Sequence, residues 1–216
     1  MIDKRAVIFA NGHLPDVHRA SGLVKPGDVL IAADGGTQHM LAMGLTPSVI
    51  IGDLDSLPLA MLETIKPDPT VFQHPRDKEE TDLELALQYA LDQGYSPIRI
   101  VAALGGRLDQ TLGNLSLLTA TAWQEHDIRM DDGLEEVFFT RTRAEWLGEA
   151  GDIVSLLPWG APVHGVITNG LKWQLSNEIL AADKTRGISN EMLGGTASVQ
   201  ITTGLLLIIH SRRFSS

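Results

Sequence analysis

Ile98-Arg99-Ile100-Val101-Ala102-Ala103-Leu104-Gly105-Gly106-Arg107-Leu108-Asp109-Gln110 decides the fold. An apolar run stops at paired glycines, and leucines at helical spacing follow. This reads as a buried strand that feeds a helix through a loop. The loop's backbone N–H groups can approach an anion, and the helix N-terminus favours negative charge. Arg107 adds a fork-shaped donor for phosphate oxygens. Asp109 is out of place beside phosphate unless a cation accompanies it. The bland alternative is a tight turn followed by a helix-start acid.

The same unit recurs upstream. Ala6–Ala10 ends at Asn11-Gly12, Val29–Ala33 at Asp34-Gly35-Gly36, Val49–Ile51 at Gly52-Asp53, and Thr70–Gln73 at the Asp77 loop. Repeated strand–loop–helix units predict a parallel sheet with helices on its faces. Helices are expected from about Asp82 to Gln93, stopped by Gly94, and from about Asp109 to Gln124. Thr81 with Glu84 fits a capping box. Leu83, Leu87, Ala90 and Leu91 form one apolar stripe, and Leu108, Leu112, Leu115 and Leu118 another. Both read as core.

The pattern changes after about residue 125. Val137–Thr140, Ile153–Leu157, Val163–Thr168, Leu171–Leu175, Ala197–Thr203 and Leu205–His210 read as short strands. Asn169-Gly170 signals a hairpin, and strands at this spacing predict a sandwich or barrel. The expected organisation is a Rossmann-like parallel α/β domain over 1–128, followed by an all-β sandwich over 129–216. In the second part Trp173 reads as core and Ser189-Asn190 as a turn.

Composition narrows the classes. The 216 residues are 44% hydrophobic and 20% charged, enough apolar material for a buried core. The net charge of -10 argues against a nucleic-acid or anionic-membrane surface. With no cysteine, disulfides, thiolate chemistry and Cys-ligated zinc are excluded. The longest strongly apolar stretch, Leu205–Ile209, is far too short to span a bilayer. The opening Met1-Ile2-Asp3-Lys4-Arg5 does not resemble a secretory signal. A soluble cytoplasmic protein is expected.

The carboxylates then suggest a chemistry. Asp53 and Asp55, Asp82, and Asp109 each follow an apolar run and precede a helix-like segment, which in a parallel sheet places them at the ligand-binding carboxyl edge. Asp53 and Asp55, two apart in an extended segment, point the same way. Alternatively, Asp55 and Ser56 cap a helix that Pro58 begins. Clustered carboxylates repel unless cations hold them, and Mg²⁺ takes oxygen ligands shared with substrate phosphates. Lys78 reads as a phosphate contact or as a solvated lysine. Neither a Walker-type loop nor Gly-x-Gly-x-x-Gly is present. The seven histidines show no His-x-x-x-His pair and read as surface or core. The sum is a metal-dependent phosphoryl-transfer enzyme.

Gly52-Asp53-Leu54-Asp55-Ser56, Asp77-Lys78-Glu79-Glu80-Thr81-Asp82 and Gly105-Gly106-Arg107-Leu108-Asp109-Gln110 resemble, in order and spacing, the motifs of the thiamine pyrophosphokinase family. Ala33-Asp34-Gly35-Gly36, Gly170-Leu171-Lys172-Trp173 and Ser189-Asn190 also match, so the resemblance spans about residues 7 to 209. It implies transfer of pyrophosphate from ATP to thiamine, giving thiamine diphosphate and AMP, with Mg²⁺. It also implies a homodimer whose sites use both chains. Carried onto this sequence, Asp53, Asp55 and Asp82 are the metal carboxylates. Asp109 is a further acid near the metal or the attacking hydroxyl. Asp34, Gly35, Lys78 and Arg107 serve ATP, and Ser189 and Asn190 of the partner chain serve thiamine. Two departures stand out. Glu79 replaces an expected Asp, and Glu191-Met192-Leu193 follow Ser189-Asn190 where an aromatic can occur, with Met192 as a soft apolar substitute. The rivals are a haloacid-dehalogenase-like phosphatase with an aspartyl nucleophile and a non-catalytic nucleotide sensor.

Overall fold

The computed structural model describes residues 4–57 and 62–213. The helix expected from Pro58 lies outside the described residues. The chain is a mixed α/β protein made of two compact units, Met1–Gly133 and Leu134–Ser216.

In the first unit, β1 (Ala6–Phe9), β2 (Val29–Ala33), β3 (Val49–Gly52), β4 (Thr70–Gln73), β5 (Ile98–Val101) and β6 (Ile128–Asp131) pair in parallel. Their order is β6-β5-β1-β2-β3-β4. The direction of winding reverses between β1 and β5, which makes the carboxyl ends of those two strands the natural ligand crevice. Every residue of β1 is fully buried, as expected of a parallel strand covered on both faces. Val7 and Phe9 join Ala20, Met40 and Ile50 in one core. Ala20 comes from α1 (Val17–Ser21) and Met40 from α2 (Gly36–Ala42). Helix α3 (Asp82–Asp92) packs on β1, β2 and β3. It is capped by Thr81, whose hydroxyl accepts the Glu84 N–H at 3.2 Å. Its Leu83, Ala86, Leu87 and Ala90 are buried, and each leucine contributes roughly 1.5–3 kcal/mol.

Helix α4 (Leu108–Leu117) departs from expectation twice. It stops well short of Gln124. The Ser116 hydroxyl bonds the Leu112 carbonyl and the Thr119 hydroxyl bonds the Ser116 carbonyl, while Ala120 turns extended. Its leucine stripe is not core: Leu108 is 72% and Leu112 47% exposed, and Leu115 alone of the stripe is buried. Strand β6 escaped the sequence reading because Arg129 and Asp131 interrupt its apolar pattern.

The second unit holds β7 (Glu135–Thr140), β8 (Arg143–Leu147), β9 (Ile153–Pro158), β10 (Val163–Asn169), β11 (Glu178–Leu180), β12 (Asn190–Glu191), β13 (Thr196–Gln200) and β14 (Leu206–Ser211). All pairings among them are antiparallel, in the orders β12-β9-β14-β7 and β11-β10-β13-β8. Both sets feed one core, in which Phe138 of β7 meets Trp146 of β8 edge to face at 5.9 Å. Leu171–Leu175 is not a strand, so Asn169-Gly170 makes no hairpin. Side chains have taken its ladder partners: the Trp173 N–H donates to Asn190 Oδ1 at 3.0 Å and the Leu175 N–H to the Thr168 hydroxyl at 2.8 Å. Trp173, expected in the core, is 48% exposed, whereas Met192 is buried in it.

A charged group lies buried in this unit. His210 is fully buried, its Nε2–H donates to Asp152 Oδ2 at 2.7 Å, and Glu136 faces its Nδ1 at 3.8 Å as an ion pair. Burial opposes the imidazolium, but the Glu136 and Asp152 carboxylates outweigh it and raise the His210 pKa above 6.5. Burial likewise opposes the Asp152 carboxylate. The Glu149 and Arg213 N–H groups and His210 outweigh that and hold its pKa below the usual value. A raised His210 pKa stabilises the fold fully below the unfolded value, and that stability is lost as pH rises through the folded value. A lowered Asp152 pKa stabilises above its unfolded value and is lost as pH falls through the folded one. His210→Gln should therefore lower the melting temperature at mildly acidic to neutral pH and flatten its alkaline decline. An unchanged melting curve across that range would refute the ion pair's role. Gly148 permits this packing, since a Cβ there would stand 2.8 Å from both Asp152 Oδ2 and His210 Nε2.

Candidate active site

The carboxyl ends of β1, β2 and β5 open onto a cleft of about 490 Å³ in the first unit. Asp34, Lys78, Asp82, Gly105, Gly106 and Arg107 line it. Three carboxylates converge there. Asp34 follows β2, Asp53 follows β3 and Asp82 opens α3, and one oxygen from each lies within 4.8 Å of the others. Gly52 allows the approach: a Cβ there would stand 2.9 Å from Asp34 Cβ and 3.2 Å from Asp82 Cγ. Three residues at strand ends sit in the left-handed region without being glycine, Asp34 at φ 41, Leu54 at φ 64 and Ala102 at φ 57. Such strain costs about 1–3 kcal/mol per residue and is characteristic of functional sites.

The electrostatics call for a cation. Burial pushes the Asp82 pKa up, Lys78 at 2.9 Å pulls it down, and the neighbouring Asp34 and Asp53 charges push it up again. Asp34 is buried, and its Oδ1 has no hydrogen-bond donor from the chain. An all-oxygen donor set with an orphaned carboxylate oxygen fits a hard divalent ion.

The expected site residues separate into groups. Asp53 and Asp82 are brought together, with Asp34 as the third member where Asp55 was expected. Asp55 is exposed and lies 3.5 Å from Arg76, while its backbone N–H donates to Asp53 Oδ1 at 3.1 Å. Asp-Gly-Gly at 34–36 reads in sequence as a turn with a possible ATP contact, and only the fold reveals its convergence with the other two acids. Arg107 and Asp109 form a bidentate pair at 3.1 and 2.6 Å. Arg107 lowers the Asp109 pKa, and Asp109 raises that of Arg107. Gly35 caps α2 and packs against Asn11.

Ser189 and Asn190 lie in the second unit, on a separate hollow of about 310 Å³ lined also by Trp173, Leu175, Arg186 and Ile188. Ser189 has φ 59, and its N–H donates to the Ser155 hydroxyl at 3.1 Å. The Asn190 carboxamide clamps Trp173 from both sides, accepting its N–H and donating to its carbonyl at 2.7 Å. The Trp173 ring is thereby held half in solvent, with Lys172 Nζ 4.7 Å from its centroid.

Comparison with known proteins agrees along the chain. Residues 21–130 match the family model "Thiamin pyrophosphokinase, catalytic domain", and residues 126–206 match "Thiamin pyrophosphokinase, vitamin B1 binding domain". Thiamine pyrophosphokinase of Bacillus subtilis is 29% identical over 201 residues, covering 92% of each chain. Thiamine pyrophosphokinase 2 of Arabidopsis thaliana is 30% identical over 77% of this chain and 66% of its own. The crystal structure of the Bacillus subtilis protein superposes with a TM-score of 0.85 at 28% identity, covering 98% of this chain and 100% of that one. That of Geobacillus thermodenitrificans gives 0.83 at 27%, covering 98% and 99%. Among the described residues, no helix is long and apolar enough to cross a membrane.

Proposed function

The chain belongs to the thiamine pyrophosphokinase family, and we infer that the acidic cleft of its first unit runs the family's reaction, transfer of pyrophosphate from ATP to thiamine to give thiamine diphosphate and AMP. The observation that carries this reading is the convergence of Asp34, Asp53 and Asp82 in a cleft that also holds Lys78 and Arg107.

Asp34, Asp53 and Asp82 would hold Mg²⁺, with Asp55 joining by leaving Arg76. Held by these carboxylates, such an ion would neutralise phosphate charge and polarise the group in transfer. Lys78 and Arg107 supply the remaining positive charge, since phosphoryl transfer is helped mainly by positioning and charge neutralisation. AMP leaves, so the thiamine hydroxyl attacks the β-phosphorus and the α,β-bridging oxygen departs with AMP. Asp109 was expected as a further acid near the metal or that hydroxyl. Its pairing to Arg107 makes it a weaker base and suits it to orienting the guanidinium.

Thiamine's rings would rest on Trp173, with Ser189 and Asn190 beside them. An exposed aromatic face next to polar groups suits a flat cationic ligand. Trp173→Ala should raise KM for thiamine about tenfold, given roughly 0.5–2 kcal/mol for a cation–π contact plus lost apolar area, with KM for ATP little changed. Unaltered thiamine KM would move the acceptor elsewhere. A homodimer in which the partner's Ser189 and Asn190 complete each site belongs to the same proposal. The exposed Leu108 and Leu112 give a second chain apolar surface to cover. A cytoplasmic location is in keeping with ATP as co-substrate. The reversal of strand order at β1 and β5 supports a Rossmann-like description of the first unit, and the shared core of the two antiparallel sheets supports a sandwich for the second. Incubation with thiamine, ATP and Mg²⁺ tests the whole reading: thiamine diphosphate and AMP must appear together and in equal amounts.

A further inference from the structure

Among the polar side chains of the cleft, His13 has no task in the reading above, yet the fold constrains its loop from several sides. The loop Asn11-Gly12-His13 leaves β1 at the point where the strand order reverses, and so faces the Gly105-Gly106 turn after β5. A Cβ on Gly12 would overlap the Ala102 carbonyl oxygen, to which the Gly12 N–H donates at 2.8 Å. The Gly12 carbonyl accepts from His39 Nε2 at 2.9 Å. On the other side, a Cβ on Gly36 would overlap the Phe9 carbonyl, and one on Gly35 the Asn11 side chain. The loop is wedged between two glycine turns and latched by hydrogen bonds to β5 and α2.

That wedge sets the imidazole against the paired glycines. His13 Cβ and Nδ1 lie 3.6 and 3.7 Å from where a Cβ on Gly105 would stand. Gly105 and Gly106 both have φ 74, a conformation that suits backbone N–H groups turned toward an anion. His13 is exposed, and among the described residues its side chain has no hydrogen bond or ion pair. The charged groups around the cleft are otherwise engaged or negative. Asp34 stands at the end of β2, and Arg76, Lys78, Glu80 and Asp82 come from the approach to α3. Arg107 with Asp109 follows β5, and His39 on α2 holds Gly12. Lys78 is committed to Asp82, Arg107 to Asp109 and Arg76 to Asp55. Among the described residues, His13 is the basic side chain lining the cleft that is not paired to a carboxylate.

We propose that His13 donates a hydrogen bond to the phosphate chain of ATP over the Gly105-Gly106 turn. The inference rests on the ATP reading of this cleft. A charge-assisted hydrogen bond to phosphate is about twice as strong as a neutral one.

The test compares the wild-type protein with His13→Ala and His13→Gln, measuring KM for Mg-ATP by turnover and affinity for Mg-tripolyphosphate by calorimetry. His13→Ala should raise both KM and the tripolyphosphate Kd roughly tenfold. His13→Gln, which keeps a side-chain donor, should recover part of the affinity. Equal affinities for wild type and His13→Ala would overturn the proposal. So would a weaker KM for ATP with unchanged tripolyphosphate binding, which would place the ring on the nucleoside. Absence of turnover in the wild type would count against the proposed function, while the calorimetric comparison would still decide the role of His13.

Discussion

Asp53→Asn and Asp82→Asn should each remove nearly all turnover while the protein stays folded. The reason lies in what the three carboxylates face. Oxygens of Asp34, Asp53 and Asp82 within 4.8 Å of one another repel, and the fold tolerates that cost at strand ends already strained at Asp34. Removing one charge relieves repulsion, so the melting temperature should hold or rise slightly. Activity has no such compensation. Even outer-shell partners of a metal cost roughly 10–100-fold when mutated, so loss of a direct ligand should cost at least about a hundredfold. Asp55→Asn should lower turnover in the same direction if Asp55 leaves Arg76 to join the group, its backbone N–H already bonding Asp53. Paired measurements of AMP release and thermal unfolding check this. Near-normal turnover in Asp53→Asn and Asp82→Asn, with unchanged melting, would remove the metal from this cleft.

The contrast between those acids and their neighbours shows which parts of the site a sequence can display. Strands β1, β2, β3 and β5 were legible because parallel strands covered on both faces are plain apolar runs, and glycine marks where each one stops, whereas β4 is an exposed edge strand. Asp53 was legible as an acid just past such a run, and Asp82 only as the opening residue of a capped helix after an acidic loop, where the helix dipole offers an ordinary explanation too. Asp34 was only half legible. Its Asp-Gly-Gly reads as a turn, and its approach to Asp82 depends on Gly52 lacking a side chain on a different strand. The leucines of α4 show a second limit. Helical spacing identifies an apolar face but not what covers it, and Leu108 and Leu112 lie exposed on this chain. Trp173 shows a third, because the Asn190 carboxamide that holds it out of the core is 17 residues away. His13 looked like a scattered surface histidine, since the wedge that places it involves glycines on two other loops. In each case the missing information was a contact between distant segments, invisible to local propensity.

A mixture of two inactive variants should regain activity. Under the proposed function, the phosphate chemistry lies on the first unit and part of the thiamine site on the second unit of a partner chain. Take Asp53→Asn, which would disable the proposed metal group, and a Ser189→Ala/Asn190→Ala double variant, which would remove the proposed thiamine contacts and free Trp173 from its clamp. Each homodimer would then be defective at both of its sites. After subunit exchange, a hybrid dimer has one site that collects both defects and one that collects neither. The intact site combines the first unit of the double variant with the second unit of the Asp53→Asn chain. Random mixing in equal amounts makes half the dimers hybrid, and each carries one working site of two, so activity should return to about a quarter of wild type. The same mixture kept from exchanging should stay inactive, and a label on one variant must report that exchange took place. If exchange is complete and no activity returns, each site is built from a single chain, and the exposed Leu108 and Leu112 lose their claim as evidence for a shared one.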